Sequence, residues 1–145
     1  MSEYIDLDVM DVELRLSWPP SVNNYYGHSA HGVHLKKTGR LFRDEVSKEV
    51  ARQVGGKRIN ERPICMTVVL FQPDRRARDL DNHMKALLDA IEASQLIMDD
   101  AWIDYLQVFR GEVVKGGLTV VKISAGVEDL EQRGVKLKDI DLVLS

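Results

Sequence analysis

Ile64-Cys-Met-Thr-Val-Val-Leu-Phe71, then the polar segment 72–81, then Asn82-His-Met-Lys-Ala-Leu-Leu-Asp-Ala-Ile-Glu-Ala93: this stretch decides the fold. Its first run is apolar and rich in β-branched residues, which suits a strand buried on both faces. In the second, Met84, Leu87, Leu88 and Ile91 recur at helical spacing, so one stripe of the helix is apolar. Asp81 stands where a helix cap belongs. A buried strand and an amphipathic helix each need partners, and the flanking sequence supplies them.

Val12–Ser17 alternates apolar and polar residues and predicts a strand, ended by Pro19 and Pro20. Thr38 to about Val54 predicts an amphipathic helix through Leu41, Phe42, Val46, Val50 and Val54, stopped by Gly55-Gly56. Trp102–Val114 and Leu118–Ser124 predict two strands, and Lys115-Gly116-Gly117 between them suggests a hairpin. A short helix and an extended tail are expected over the last twenty or so residues. The fold class expected is α+β: one domain, with one small mixed sheet carrying packed helices.

The 145 residues suit one domain with a real core. No apolar run approaches the roughly 20 residues that cross a membrane, and the acidic N-terminus predicts no signal peptide. A single cysteine, Cys65, fits a reducing compartment and lies in an apolar run as a buried thiol. Net charge is −3, but it is unevenly spread. Residues 31–85 hold thirteen basic and seven acidic residues, while both flanks are net acidic. A positive middle can attract phosphate locally, since fields are screened within about 10 Å.

The chemistry-bearing segment is Arg75-Arg-Ala-Arg-Asp-Leu-Asp-Asn-His-Met-Lys85, followed by Asp99-Asp100. Asp79 and Asp81, two residues apart in extended backbone, share a face, and Lys85 lies one helical turn beyond Asp81. Neighbouring carboxylates suit a hard divalent cation. A chain reversal after the helix can return Asp100 to them. Three carboxylates, a lysine and flanking arginines Arg75, Arg76 and Arg78 form a coherent phosphodiesterase set. Each also has an ordinary explanation: Asp81 as a cap, Asp79 and Asp100 as solvated turn residues, Lys85 as the partner of Asp81 or Asp89. His28, His31 and His34 are spaced for a metal site, yet Gly27 and Gly32 favour a mobile polar loop there. Trp18, Tyr25 and Tyr26 can stack on bases or pack on the sheet.

These motifs resemble, in order and spacing, the RusA family of Holliday-junction resolvases. The resemblance runs from about residue 12 to 125. It is carried by Trp18-Pro-Pro-Ser-Val-Asn-Asn-Tyr-Tyr26, Gly39-Arg-Leu-Phe-Arg43, Asp79-Leu-Asp-Asn82 with Lys85, Asp89-Ala90, Asp99-Asp-Ala101 and Val114-Lys-Gly-Gly117. It implies a RusA-like endonuclease domain over 1–125 and a C-terminal extension of unknown role over 126–145. It also implies a homodimer that resolves four-way junction DNA by paired nicks in opposed strands, in recombination and repair. Carried over by position, the metal-binding carboxylates are Asp79, Asp81 and Asp100, with Lys85 as the catalytic lysine and Mg²⁺ (or Mn²⁺) as the cofactor. Where two aspartates adjoin, the match is to Asp100 rather than Asp99. Asn23, Arg75, Arg76, Arg78, Asn82 and Lys115 are the implied DNA contacts. A cytoplasmic protein, bacterial or phage-encoded, is expected. The alternatives are a module that holds branched DNA without cutting it, and a metal-dependent nuclease for other branched DNA.

Overall fold

The computed structural model describes residues 11–126 and 132–134. The acidic residues 1–10 and nearly all of the predicted tail lie outside that range. A four-stranded sheet is built from β1 (Asp11–Leu16), β4 (Ile64–Phe71), β5 (Ile103–Arg110) and β6 (Leu118–Ala125). Its order is β1-β6-β4-β5. β6 runs antiparallel to β1 and β4, and β5 runs parallel to β4. α2 (Lys37–Val54) and α3 (Asp81–Ala93) pack on each other. The α+β expectation holds.

One sheet face is the core. On β4 the even-numbered residues Ile64, Met66, Val68 and Leu70 are fully buried. They continue in register into Ile123 and Val121 of β6 and Leu14 of β1. Phe42, Val46 and Val50 of α2 and Met84, Leu87 and Ile91 of α3 join the same buried cluster. Each such side chain contributes about 1.5–3 kcal/mol on leaving water. Leu41, counted on the apolar stripe of α2, is instead 59% exposed. On the other sheet face Arg133 bonds Thr67 at 3.1 Å and lies 5.2 Å from the Tyr105 ring.

The predicted hairpin over 102–124 does not form. β5 and β6 never pair, because the more apolar β4 lies between them. The connection 111–117 crosses the end of β4, where the Gly111 amide donates to Leu70 and the Val114 amide to Gln72, both at 2.9 Å. A central strand satisfies its backbone by taking a neighbour on each edge. Gly116 and Gly117 do make a turn, but one that redirects the chain around β4.

A second difference lies in the histidine segment. After a single helical turn, α1 (Val22–Tyr25), a two-stranded ribbon forms from β2 (Tyr26–Ser29) and β3 (Gly32–Leu35). Gly32, with φ +102, makes its turn, and the Lys36 amide closes its base on the Tyr25 carbonyl at 2.9 Å. His28 pairs with Val33, and His34 with Gly27. Among the described residues the three histidines join no group able to hold a metal.

Gly39 seats α2 on α1. A Cβ there would stand 2.5 Å from the Tyr25 carbonyl oxygen, a backbone atom that cannot swing away. Gly39→Ala is therefore expected to cost about 1–3 kcal/mol, the usual scale of overpacking, read as a lower urea midpoint at unchanged m.

Candidate active site

α3 places four polar residues along one face: Asp81, Lys85, Asp89 and Glu92, spaced by four, four and three. Its other faces are buried through His83, Met84, Ala86, Leu87, Ala90 and Ile91. The helix begins at Asp81, with Leu80 in the cap position and no side-chain cap bond. Asp81 is thus not the cap it was expected to be. Its exposed carboxylate sits in the first turn, where the helix dipole favours negative charge, and remains available for chemistry.

After α3 the chain turns back through a 3-10 turn, Asp100–Trp102. Asp99 caps this turn by accepting the Ala101 amide at 2.8 Å. The cap holds Asp100 against α3, with one carboxylate oxygen 4.0 Å from the Lys85 ammonium. Glu92, Asp99 and Asp100 bring carboxylate oxygens within 4.8 Å of one another. Glu92 is half-buried, and its carboxyl is raised above the usual range, first by burial and then by the charges of Asp100 and Asp99. Among the described residues this is the trio of carboxylates that converges at that range, and neither Asp79 nor Asp81 belongs to it. Asp81 lies one turn before Lys85 on the same helix face. Glu92 was not singled out from the sequence. Its position three residues after Asp89 and seven after Lys85, on the polar face, was the signal available.

A three-membered network stands behind this face. The fully buried Tyr25 donates its hydroxyl to Asp89. Arg43 reaches the same Asp89 oxygen at 2.5 Å and donates to the Tyr25 hydroxyl at 3.3 Å. Burial, with the neighbouring Asp89 carboxylate, pushes the Tyr25 hydroxyl well above its ordinary pKa, and Asp89 also raises Arg43. The network ties α1 and α2 to the middle of α3. Tyr26 crosses Tyr25 edge-on at 4.7 Å. Its hydroxyl is raised by burial and by Asp89, with Asp100 adding a smaller contribution. Tyr25 and Tyr26 therefore work in packing. Tyr25→Phe is expected to cost about 1.5–3 kcal/mol, the scale for a hydrogen bond to a charged group, measured by urea unfolding.

The residues expected to touch DNA divide into two groups. Arg75, Arg76, Asn23 and Lys115 are exposed. Arg76 lies 3.8 Å from Asp74 and keeps 81% of its side chain in solvent. Arg78 is instead engaged inside the protein. It binds Asp74 at 2.7 and 3.1 Å, lies 5.8 Å from the Trp18 ring and keeps only 17% side-chain exposure. Its two hydrogen bonds, with the Arg76 amide, hold the Asp74 carboxyl down to about 2. Asn82 is half-buried, and its amide donates to the Asp79 carbonyl at 3.3 Å. Trp18 packs tilted against buried His83 at 4.7 Å. The His83 Nδ1–H in turn donates to the Pro19 carbonyl at 2.9 Å, so the proline-rich loop is fastened to α3.

A family model described as Endodeoxyribonuclease RusA matches residues 17–124. "Crossover junction endodeoxyribonuclease rusA" of Enterobacteria phage 82 is 36% identical over 107 residues, covering 72% of this chain and 86% of the relative. The proteins of that name from Escherichia coli K12 and Shigella sonnei Ss046 are each 35% identical over 104 residues, with the same coverage of both chains. Among solved structures, the periplasmic domain of Helicobacter pylori MotB superposes at TM-score 0.37 with 10% identity, over 86% of this chain and 80% of that one. That likeness is too remote to bear on the fold.

Proposed function

Because this chain belongs to the RusA endodeoxyribonuclease family, we propose that it is a metal-dependent endonuclease that resolves four-way DNA junctions by paired nicks in opposed strands. The observation that carries the reading is the Lys85–Asp100 contact beside the converging carboxylates of Glu92, Asp99 and Asp100. Such a set makes little sense facing phosphate unless a cation lies between.

The donor set fits Mg²⁺ or Mn²⁺. All its ligand atoms are carboxylate oxygens, the preference of hard divalent ions, and they already lie within 4.8 Å of one another. Asp100 and Glu92 would hold the ion; Asp79 and Asp81, at the other end of α3 and roughly 16 Å along the helix from Glu92, would hold a separate ion. Bound there, the ion would neutralise phosphate charge and lower the pKa of water. The chain's own groups do the rest. Lys85, held beside Asp100, donates to a non-bridging phosphate oxygen as negative charge builds. Asp99 holds the turn that presents Asp100. Arg75 and Arg76 track the phosphate backbone, with Asn23, Asn82 and Lys115 as further contacts. Arg78 supports them by holding their loop against Trp18.

The substrate has two-fold symmetry, which a closed homodimer matches. Supporting this, β5 is an edge strand on which Leu106 and Phe109 are 45% and 47% exposed, and Val113 beyond it is 47% exposed. Sedimentation equilibrium at micromolar concentration tests the dimer. No helix among the described residues is long and apolar enough to cross a membrane.

The deciding experiment incubates a mobile four-way junction with the protein and Mg²⁺ or Mn²⁺ and maps the nicks on every strand. Paired nicks in opposed strands are expected. Tight junction binding without nicks would instead mark a binding module. Arg76→Ala is expected to weaken junction binding and to lower the slope of log K against log salt by about one contact's worth, near 0.9.

A further inference from the structure

Beside the carboxylates lies a cavity of 540 Å³ that the mechanism above does not use. Glu92 is part of its wall, so it opens directly onto the proposed site of cutting. Arg43, Arg58, Asp89 and Gln95 supply its other polar groups, and Ile97 and Met98 its apolar ones. The volume falls within the range of small-ligand pockets, about 300–1,000 Å³.

The wall is built by chain pairing. Ile59 bridges Ile97, and the Ile59 amide donates to the Leu96 carbonyl at 2.8 Å. This brings Arg58 to Gln95, where its guanidinium donates to the side-chain amide oxygen at 3.3 Å. Gln95 also has an unusual backbone. It follows the end of α3 with φ +67, and its amide closes the helix on the Glu92 carbonyl at 2.9 Å. Glycine is the residue that meets this position without strain. Among the described residues Gln95 is the non-glycine residue with positive φ. A side chain held at that cost, in a cavity beside the reacting groups, points to a use for its amide.

The lining indicates what fits. Two arginines face two acids, and Arg43 is already matched by Asp89 at 2.5 Å. A bare phosphate would find little net positive charge. A nucleobase suits the site better. It has an apolar face for Met98, which is 52% exposed, and a mixed donor–acceptor edge for Gln95 and Arg58. A base stacked in duplex could not enter, but the cost of unstacking is least where pairing is already disturbed, as at a branch point.

We propose that this cavity receives an unstacked nucleotide of the strand being cut, and that Gln95 and Arg58 read its base. The inference rests on the endonuclease reading and extends it to sequence preference.

The test uses four-way junctions with a randomised core, cut by the full chain and by Gln95→Gly and Arg58→Gln, with nick positions read by sequencing. The ratio of best to worst base is obtained within one reaction, so it does not depend on overall rate. The parent chain is expected to prefer one base at a fixed position beside the nick. Gln95→Gly should lower that ratio by about 5-fold or more, the low end of what one hydrogen-bonded base edge contributes. Its thermal midpoint should not fall, because glycine relieves the backbone. Arg58→Gln should flatten the same position. An unchanged profile in both variants overturns the proposal, as does a parent chain with no preference. Equal slowing at every sequence would make the cavity a seat for backbone phosphate and overturns it too. A parent chain that makes no nicks with either metal fails earlier, at the endonuclease reading, and takes this inference with it.

Discussion

Asp100→Asn is expected to bind a four-way junction at least as tightly as the parent chain and to nick it more than about 100-fold more slowly, the scale for removing one preorganised electrostatic group. The substitution preserves size and removes one negative charge. That charge sits 4.0 Å from Lys85 and within 4.8 Å of the Glu92 and Asp99 carboxylates. Its loss takes away an oxygen donor suited to a cation and frees Lys85 from its partner. Binding persists because one fewer negative charge faces the phosphates. Asp81→Asn should behave alike, since Asp81 makes no cap bond whose loss would explain a defect. Gel-shift titration and single-turnover nicking of the same junction separate the two quantities. Normal nicking by Asp81→Asn would reduce that residue to favourable charge at a helix start. Normal nicking by Asp100→Asn would remove the proposed site altogether.

Chelation with EDTA is expected to stop nicking completely and to leave junction binding in place, with Mg²⁺ or Mn²⁺ restoring the activity. The same ion should raise the thermal midpoint of the DNA-free chain, because a ligand that binds only the folded state stabilises it by RT ln(1 + [L]/Kd). Glu92→Gln should shrink that shift, since its carboxylate is part of the converging group. It should also reduce nicking, which tests a residue that the order and spacing of the sequence motifs do not include. A thermal shift equal in Glu92→Gln and the parent chain would place the ion elsewhere, for example between Asp79 and Asp81. Persistent nicking after exhaustive chelation would exclude a divalent ion from the reaction.

Much of this was legible in one dimension. The apolar run Ile64–Phe71 is β4 at the limits read from the sequence, and Asp81–Ala93 and Lys37–Val54 begin within a residue of the helices expected. Periodicity suffices there because a buried strand and an amphipathic helix each declare their environment through their own side chains. Asp100 and Lys85, both singled out in the sequence, do lie side by side, 4.0 Å apart. The ribbon over 26–35 was less so. Its histidines and glycines suggested a mobile loop, and its form depends on a closing bond between Tyr25 and Lys36, which local sequence does not announce.

Strand pairing is where local reading failed. Lys115-Gly116-Gly117 carries a turn signal, and a turn between two strands ordinarily makes them neighbours. Here β4, from earlier in the chain, takes the place between β5 and β6. Pairing is a competition for the most apolar partner, settled by the whole core.

The sequence by itself determined the element types, the fold class, the family and the presence of acids and a lysine suited to phosphate chemistry. All of these depend on residue identity and short-range spacing. Only the tertiary structure decided which acids meet. The turn capped by Asp99 brings Asp100 to Lys85 and Glu92, and the Tyr25–Arg43–Asp89 network fixes α3 against α1 and α2. It also drew Arg78 inward to Asp74 and Trp18, while Arg75 and Arg76 stayed in solvent. Those outcomes turn on distances between segments far apart in the chain. Such distances follow from how the core packs, and no spacing along the sequence encodes them.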